Sequence, residues 1–128
     1  PSGQPAPDMS VNGVDDLLVL PADDSFVTAT VSLDSNGVSD YADYLVAAYN
    51  GSSIYTLYSS TMPVTDIAPT TIVATALPPG PWVFVFALDM TPDAIQAFEI
   101  YDYVYVWVQP TGMSSLQAPD FGALIDGD

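Results

Sequence analysis

From residue 26 to residue 33, apolar and polar side chains alternate without a break: Val27, Ala29, Val31 and Leu33 on one side, Thr28, Thr30 and Ser32 on the other. A period of two is the signature of a half-buried β-strand with one wet face. Two later runs behave differently. Pro81-Trp82-Val83-Phe84-Val85-Phe86-Ala87-Leu88-Asp89 and Ile100-Tyr101-Asp102-Tyr103-Val104-Tyr105-Val106-Trp107-Val108 are rich in β-branched and aromatic residues and largely apolar at both parities. An antiparallel sheet normally keeps one face polar. In these two strands neither face reads as wet, so both faces need a cover.

The remaining elements fall on either side of that hairpin. Residues 1–8, with prolines at 1, 5 and 7, predict an extended linker; residues 9–109 carry the folded domain and 110–128 form a tail, with Leu116, Phe121, Leu124 and Ile125 as its apolar anchors. Met9-Ser10-Val11 predicts an edge strand turned by Asn12-Gly13, and Leu17–Leu20 a second apolar piece closed by Pro21. A polar loop over 34–40 precedes a strand over 41–49, and Asn50-Gly51 marks a hairpin into 54–58. The Ser/Thr/Pro-rich stretch 59–69 reads as loop, followed by a β-branched strand over 70–77. Between the two apolar runs, Thr91 as N-cap, Pro92 at the first helical position and Asp93 near the dipole predict one helical turn over 91–97.

About seven strands at this spacing predict an all-β, Greek-key β-sandwich. Its expected core is Val27, Val31, Leu33, Tyr44, Val46, Phe84, Phe86, Val104, Val106 and Val108. Several landmarks carry a family resemblance: Val11-Asn12-Gly13, Val31-Ser32-Leu33-Asp34, Ala42-Asp43-Tyr44-Leu45-Val46-Ala47-Ala48, Leu77-Pro78-Pro79-Gly80 and Phe84-Val85-Phe86-Ala87-Leu88-Asp89. Over residues 7–109 the chain resembles the fibronectin-III/immunoglobulin-like modules of large secreted or surface proteins of environmental bacteria. The resemblance implies a sandwich fold and an extracellular setting, and it brings no catalytic residues. The outward positions of the last strand depart from it. They are usually polar in that family and are Tyr103, Tyr105 and Trp107 in this chain.

Charge narrows the function classes. The 128 residues hold no Lys, Arg or His and 16 acids, a formal charge of −16, while 49% of positions are hydrophobic. Nothing is available to pair a phosphate, which excludes nucleic acid and anionic membrane surfaces as partners. Without His, Cys or Lys the common general bases, nucleophiles and zinc ligands are missing, and no acid pair faces a recognisable cleft, so no enzyme is expected. No cysteine means no disulfide. A chain beginning with Pro1 and offering no Lys or Arg to trypsin-like proteases suits a processed extracellular product.

Three groups of residues remain as candidate sites. Asp34, Asn36 and Asp40 alternate hard oxygen donors along one loop; sandwich geometry brings the loop after Asp89 to the same pole, adding Asp89, Asp93 and Glu99, and together they form a candidate calcium site. Asn50-Gly51-Ser52 has the form of an N-glycosylation sequon, although a hairpin turn explains it without sugar. The row Tyr103, Tyr105 and Trp107, beside Val83 and Val85, could stack sugar rings, be covered by the chain's own tail or be buried against another subunit, with Leu18 and Leu20 as further interface residues. The aliphatic neighbours favour a protein partner. The chain is therefore expected to be an extracellular or cell-surface structural protein that self-assembles through this face and its terminal segments, with an adhesion or glycan-binding module as the alternative.

Overall fold

The computed structural model describes residues 4–90 and 100–110. Eight strands, in chain order, are β1 (Ala6–Val11), β2 (Leu17–Leu20), β3 (Phe26–Asp34), β4 (Tyr41–Tyr49), β5 (Ile54–Pro63), β6 (Ile67–Ala76), β7 (Gly80–Asp89) and β8 (Ile100–Val108). They form two sheets, one of three strands in the order β1-β3-β6 and one of five in the order β2-β8-β7-β4-β5. All pairs are antiparallel except β2 with β8. There is no helix among the described residues. The expected helical turn over 91–97 and the tail anchors lie outside them.

Alternation builds the core. Met9 and Val11 of β1 and Val27, Ala29, Val31 and Leu33 of β3 face Tyr44, Val46, Trp82, Phe84, Phe86, Leu88, Val104, Val106 and Val108 of the larger sheet. All ten expected core residues are buried. The Tyr44 ring lies nearly parallel to that of Phe86, 6.4 Å between centroids, and its hydroxyl donates to the carbonyl of Pro63 over 3.2 Å. Burial raises the Tyr44 pKa, partly offset by a backbone contact at Thr65.

The chain changes sheets at Asn12-Gly13. Both residues have positive φ, 52° and 78°, and Val11 and Val14 exchange backbone hydrogen bonds, as a two-residue type I′ turn requires. The Asn12 side chain accepts from the Thr28 amide (2.7 Å) and donates to the Phe26 carbonyl (3.0 Å), continuing the β1–β3 ladder after the backbone has turned away. β2 then joins β8 in the other sheet, with Tyr105 N–H donating to Asp16 and Gln109 N–H to Leu20.

Three boundaries differ from expectation. β1 begins at Ala6, inside the stretch read as linker, because Ala6, Pro7 and Asp8 pair with Asp34, Leu33 and Ser32. The expected loop over 59–69 shrinks to residues 64–66. β5 runs on to Pro63 as Met62 and Ser60 pair with Ala42 and Tyr44, and β6 starts at Ile67, opposite Leu33. Ladder pairing along an edge outweighs the loop-like composition of Ser59-Ser60-Thr61. The Asn50-Gly51 hairpin is a four-residue connection, 50–53, closed by Asn50 N–H to the Ser53 carbonyl.

Candidate functional site

The outer face of the five-stranded sheet is the side of β4, β7 and β8 opposite the core. The register aligns Tyr49, Val83 and Tyr105 in one row, Ala47, Val85 and Tyr103 in the next, and Leu45, Ala87 and Tyr101 in a third. Small residues at the centre, Ala47 and Ala87, sit between larger ones. The result is a trough of about 390 Å³ floored by Val83, Val85 and Ala47 and edged by Leu45, Tyr49, Ile54, Tyr101 and Tyr103. No acid lines it. Ile54 is 64% exposed, Tyr101 55% and Tyr103 37%, so the rim offers apolar surface to the outside.

The tyrosines do not form one flat platform. Tyr101 and Tyr103 lie 5.8 Å apart at 27°, whereas Tyr105 meets Tyr103 edge-on at 62° and 5.1 Å. Trp107, between Pro81 and Val19 in the register, is only 8% exposed, and its indole N–H is buried without a hydrogen-bond partner among the described residues.

Of the expected interface residues, Val83, Val85 and Tyr103 line the trough, while Tyr105 and Trp107 extend its row toward β2. Leu18 and Leu20 do not belong to this face. They pack against the core, and it is Leu17 and Val19, 40% and 38% exposed, that continue the outer surface. Pairing of Leu17 with Tyr105 and Val19 with Trp107 sets that parity. Tyr101, Leu45, Tyr49 and Ile54 were absent from the expected set. Tyr101 shares the parity of Tyr103, Tyr105 and Trp107 and was within reach of the sequence, whereas the others depend on which strands pair.

Of the expected acidic pole, β3 ends at Asp34, the loop through Asn36 and Asp40 leads into β4, and Asp89 at the end of β7 pairs across the ladder with Asp43. The carboxylates themselves are engaged in local structure. Asp34 accepts from the Asn36 amide (2.9 Å), Asp66 accepts from the Ser35 amide (2.8 Å), and Asn36 donates to the Gln4 carbonyl (2.7 Å). The amide and hydroxyl of Ser35 hold the Asp66 carboxyl below the ordinary carboxylate range. Asp43 accepts a hydrogen bond from the Thr61 hydroxyl. Among the described residues no three acids converge as metal ligands do; Asp93 and Glu99 lie outside them. Asn50 serves its turn, its side-chain oxygen accepting from the Ser52 and Ser53 amides at 3.0 and 2.8 Å.

Compared with known proteins, the chain matches no protein-family model and no curated protein sequence.

Proposed function

We propose that this chain is a non-enzymatic structural protein of the cell surface or extracellular matrix that assembles with copies of itself through the outer face of its five-stranded sheet. One observation carries the reading: a chain with charge −16 keeps an exposed trough of about 390 Å³ whose lining, among the described residues, is aliphatic side chains and tyrosines. An apolar, aromatic-rich, acid-free patch is the composition of a protein interface core. Tyr101 and Tyr103 alone would suit the rival reading, a glycan-binding or adhesion face. The edge-on Tyr105 and the covered Trp107 support a protein partner instead, because sugar stacking needs open, coplanar ring faces.

We read the sandwich itself as fibronectin-III/immunoglobulin-like, supported by three strands β1-β3-β6 facing β2-β8-β7-β4-β5. Modules of that resemblance occur in large secreted or surface proteins, which agrees with a structural role. Charge sets the conditions. Sixteen acids per subunit repel one another, so assembly calls for high ionic strength, low pH or divalent cations, with calcium at the Asp34–Asp40 pole as one such counter-ion. Sedimentation velocity in calcium-containing, high-salt buffer tests the proposal. A species several times the 13.5 kDa chain mass is expected, and a stable monomer well above micromolar concentration overturns it.

A further inference from the structure

The sandwich is closed along one side and open along the other. On the closed side β1 packs against β8 and β7. On the open side β5 and β6 are the last strands of their sheets, and they barely touch each other. Two apolar clefts open between them toward the core, one of about 320 Å³ reaching Leu57, Val73 and Phe84, the other of about 280 Å³ reaching Met62, Ile72 and Phe86. They follow one another along β6, the second lined from its Ile67–Ile72 part and the first from Val73 onward.

Edge strands are ordinarily blunted with charges. The chain has 16 acids, yet none falls in the twenty residues of β5 and β6. Prolines sit only at the end of β5 (Pro63) and near the start of β6 (Pro69), leaving the rest of each edge able to pair. Among the described residues, this seam has neither the backbone partner nor the apolar side chains that would complete it.

The chain carries a segment of matching chemistry. In Asp120-Phe121-Gly122-Ala123-Leu124-Ile125-Asp126, period two puts Phe121, Ala123 and Ile125 on one side, with an acid at either end. This segment lies in residues 111–128, outside the described structure. The last described strand, β8, lies three strands from β5 in the five-stranded sheet. Donation from one molecule to the next, rather than within one, is the arrangement a self-assembling chain requires. We propose that the β5–β6 seam accepts residues 120–126 of a second copy of this chain as an added β-strand, with Phe121 and Ile125 entering the two clefts. The inference rests on the self-assembly reading and adds a second contact to the one at the outer sheet face.

Because the chain has no cysteine, disulfide mapping starts from a clean background. Full-length V73C and A123C, mixed under assembly conditions and oxidised, should give a V73C–A123C cross-link several-fold in excess of either homodimer. I72C replaces V73C if the latter does not fold. Excess synthetic peptide spanning 111–128 should shorten wild-type assemblies in sedimentation. Assemblies that form without the cross-link and ignore the peptide overturn the donated strand and leave self-assembly standing. A cross-link confined to single V73C/A123C chains shows that the tail fills its own seam, which also overturns the proposal. Monomer throughout overturns the self-assembly reading itself.

Discussion

The backbone N–H of Met9 donates to the Asp102 carboxylate over 2.7 Å, and this bond ties β1 of the small sheet to β8 of the large one. Asp102 occupies a core-facing position of β8, opposite Phe86 in the ladder. Burial raises its pKa; the Met9 and Tyr103 amides pull the other way, and the charge of Asp8 adds to the rise. A carboxyl raised on folding binds its proton more tightly in the native state. Its contribution therefore weakens stability as pH climbs from the ordinary carboxylate range through the raised folded value. Asp102→Asn keeps an oxygen acceptor and removes the charge, so it should be more stable than wild type near neutral pH, with the gain shrinking near pH 4. Asp102→Ala strands the Met9 amide and should cost about 1–3 kcal/mol. Urea titrations at both pH values decide, and an Asp102→Asn protein less stable at neutral pH contradicts this account.

Phe86 is 1% exposed and stacked on Tyr44. Phe86→Ala should destabilise by about 3–5 kcal/mol through lost burial and the cavity left behind. Tyr44→Phe, which removes only the hydroxyl bond to Pro63, should cost about 1 kcal/mol. Chemical denaturation that gives the two substitutions equal effects would remove Phe86 from the centre of the core.

At the sheet crossover, Asn12→Ala loses two side-chain bonds to β3 and replaces a residue that tolerates the left-handed region, at φ 52°, with one that does not, for an expected cost of about 2 kcal/mol. Gly13→Ala meets no neighbouring atom within 4 Å but must hold φ +78°, so strain alone should cost about 1 kcal/mol. Asn12 should thus be the more sensitive position in thermal melts.

Val85→Asp and Tyr103→Asp should abolish large species in sedimentation while leaving the β-type circular dichroism unchanged, since both side chains line the outer trough. Thr30→Asp, on the wet face of β3, should assemble as wild type does. Equal loss with all three would point to added charge rather than to the trough.

Assembly should strengthen with salt, because the screening length falls from about 10 Å at 0.1 M to about 3 Å at 1 M. Calcium compared with EDTA at fixed ionic strength separates binding from screening: a higher melting temperature in calcium is expected if the Asp34–Asp40 pole holds the ion. Identical melts would leave screening as the whole effect.

Much of this molecule was legible along the chain. Alternation at Val27 to Leu33 fixed which residues face inward, and the same parity in β7 and β8 placed Phe84, Phe86, Val104 and Val106 in the core. What failed depends on contacts distant in sequence. Leu17-Leu18-Val19-Leu20 contains no polar residue, so its facing comes only from pairing with β8. The Ser/Thr run in β5 reads as loop until β4 supplies its ladder partners. Asp102 sits at a core parity that composition would assign to an apolar residue, and the contact that ties it to the other sheet is the Met9 amide, 93 positions earlier. The acidic loop showed its oxygens, but their use as local turn acceptors is a property of backbone geometry.

The parallel β2–β8 pair has a mechanical consequence. Both strands run in the same direction, from Leu17 beside Tyr105 to Leu20 beside Val108. Once β1 has parted from β3, tension along the chain pulls β2 backward and β8 forward, so it slides one strand along the other. Every hydrogen bond of that short ladder is then loaded together, where an antiparallel terminal pair would open one bond at a time. A thread of such modules would therefore keep a second point of resistance behind β1, where the start of the large sheet is clamped to its last strand.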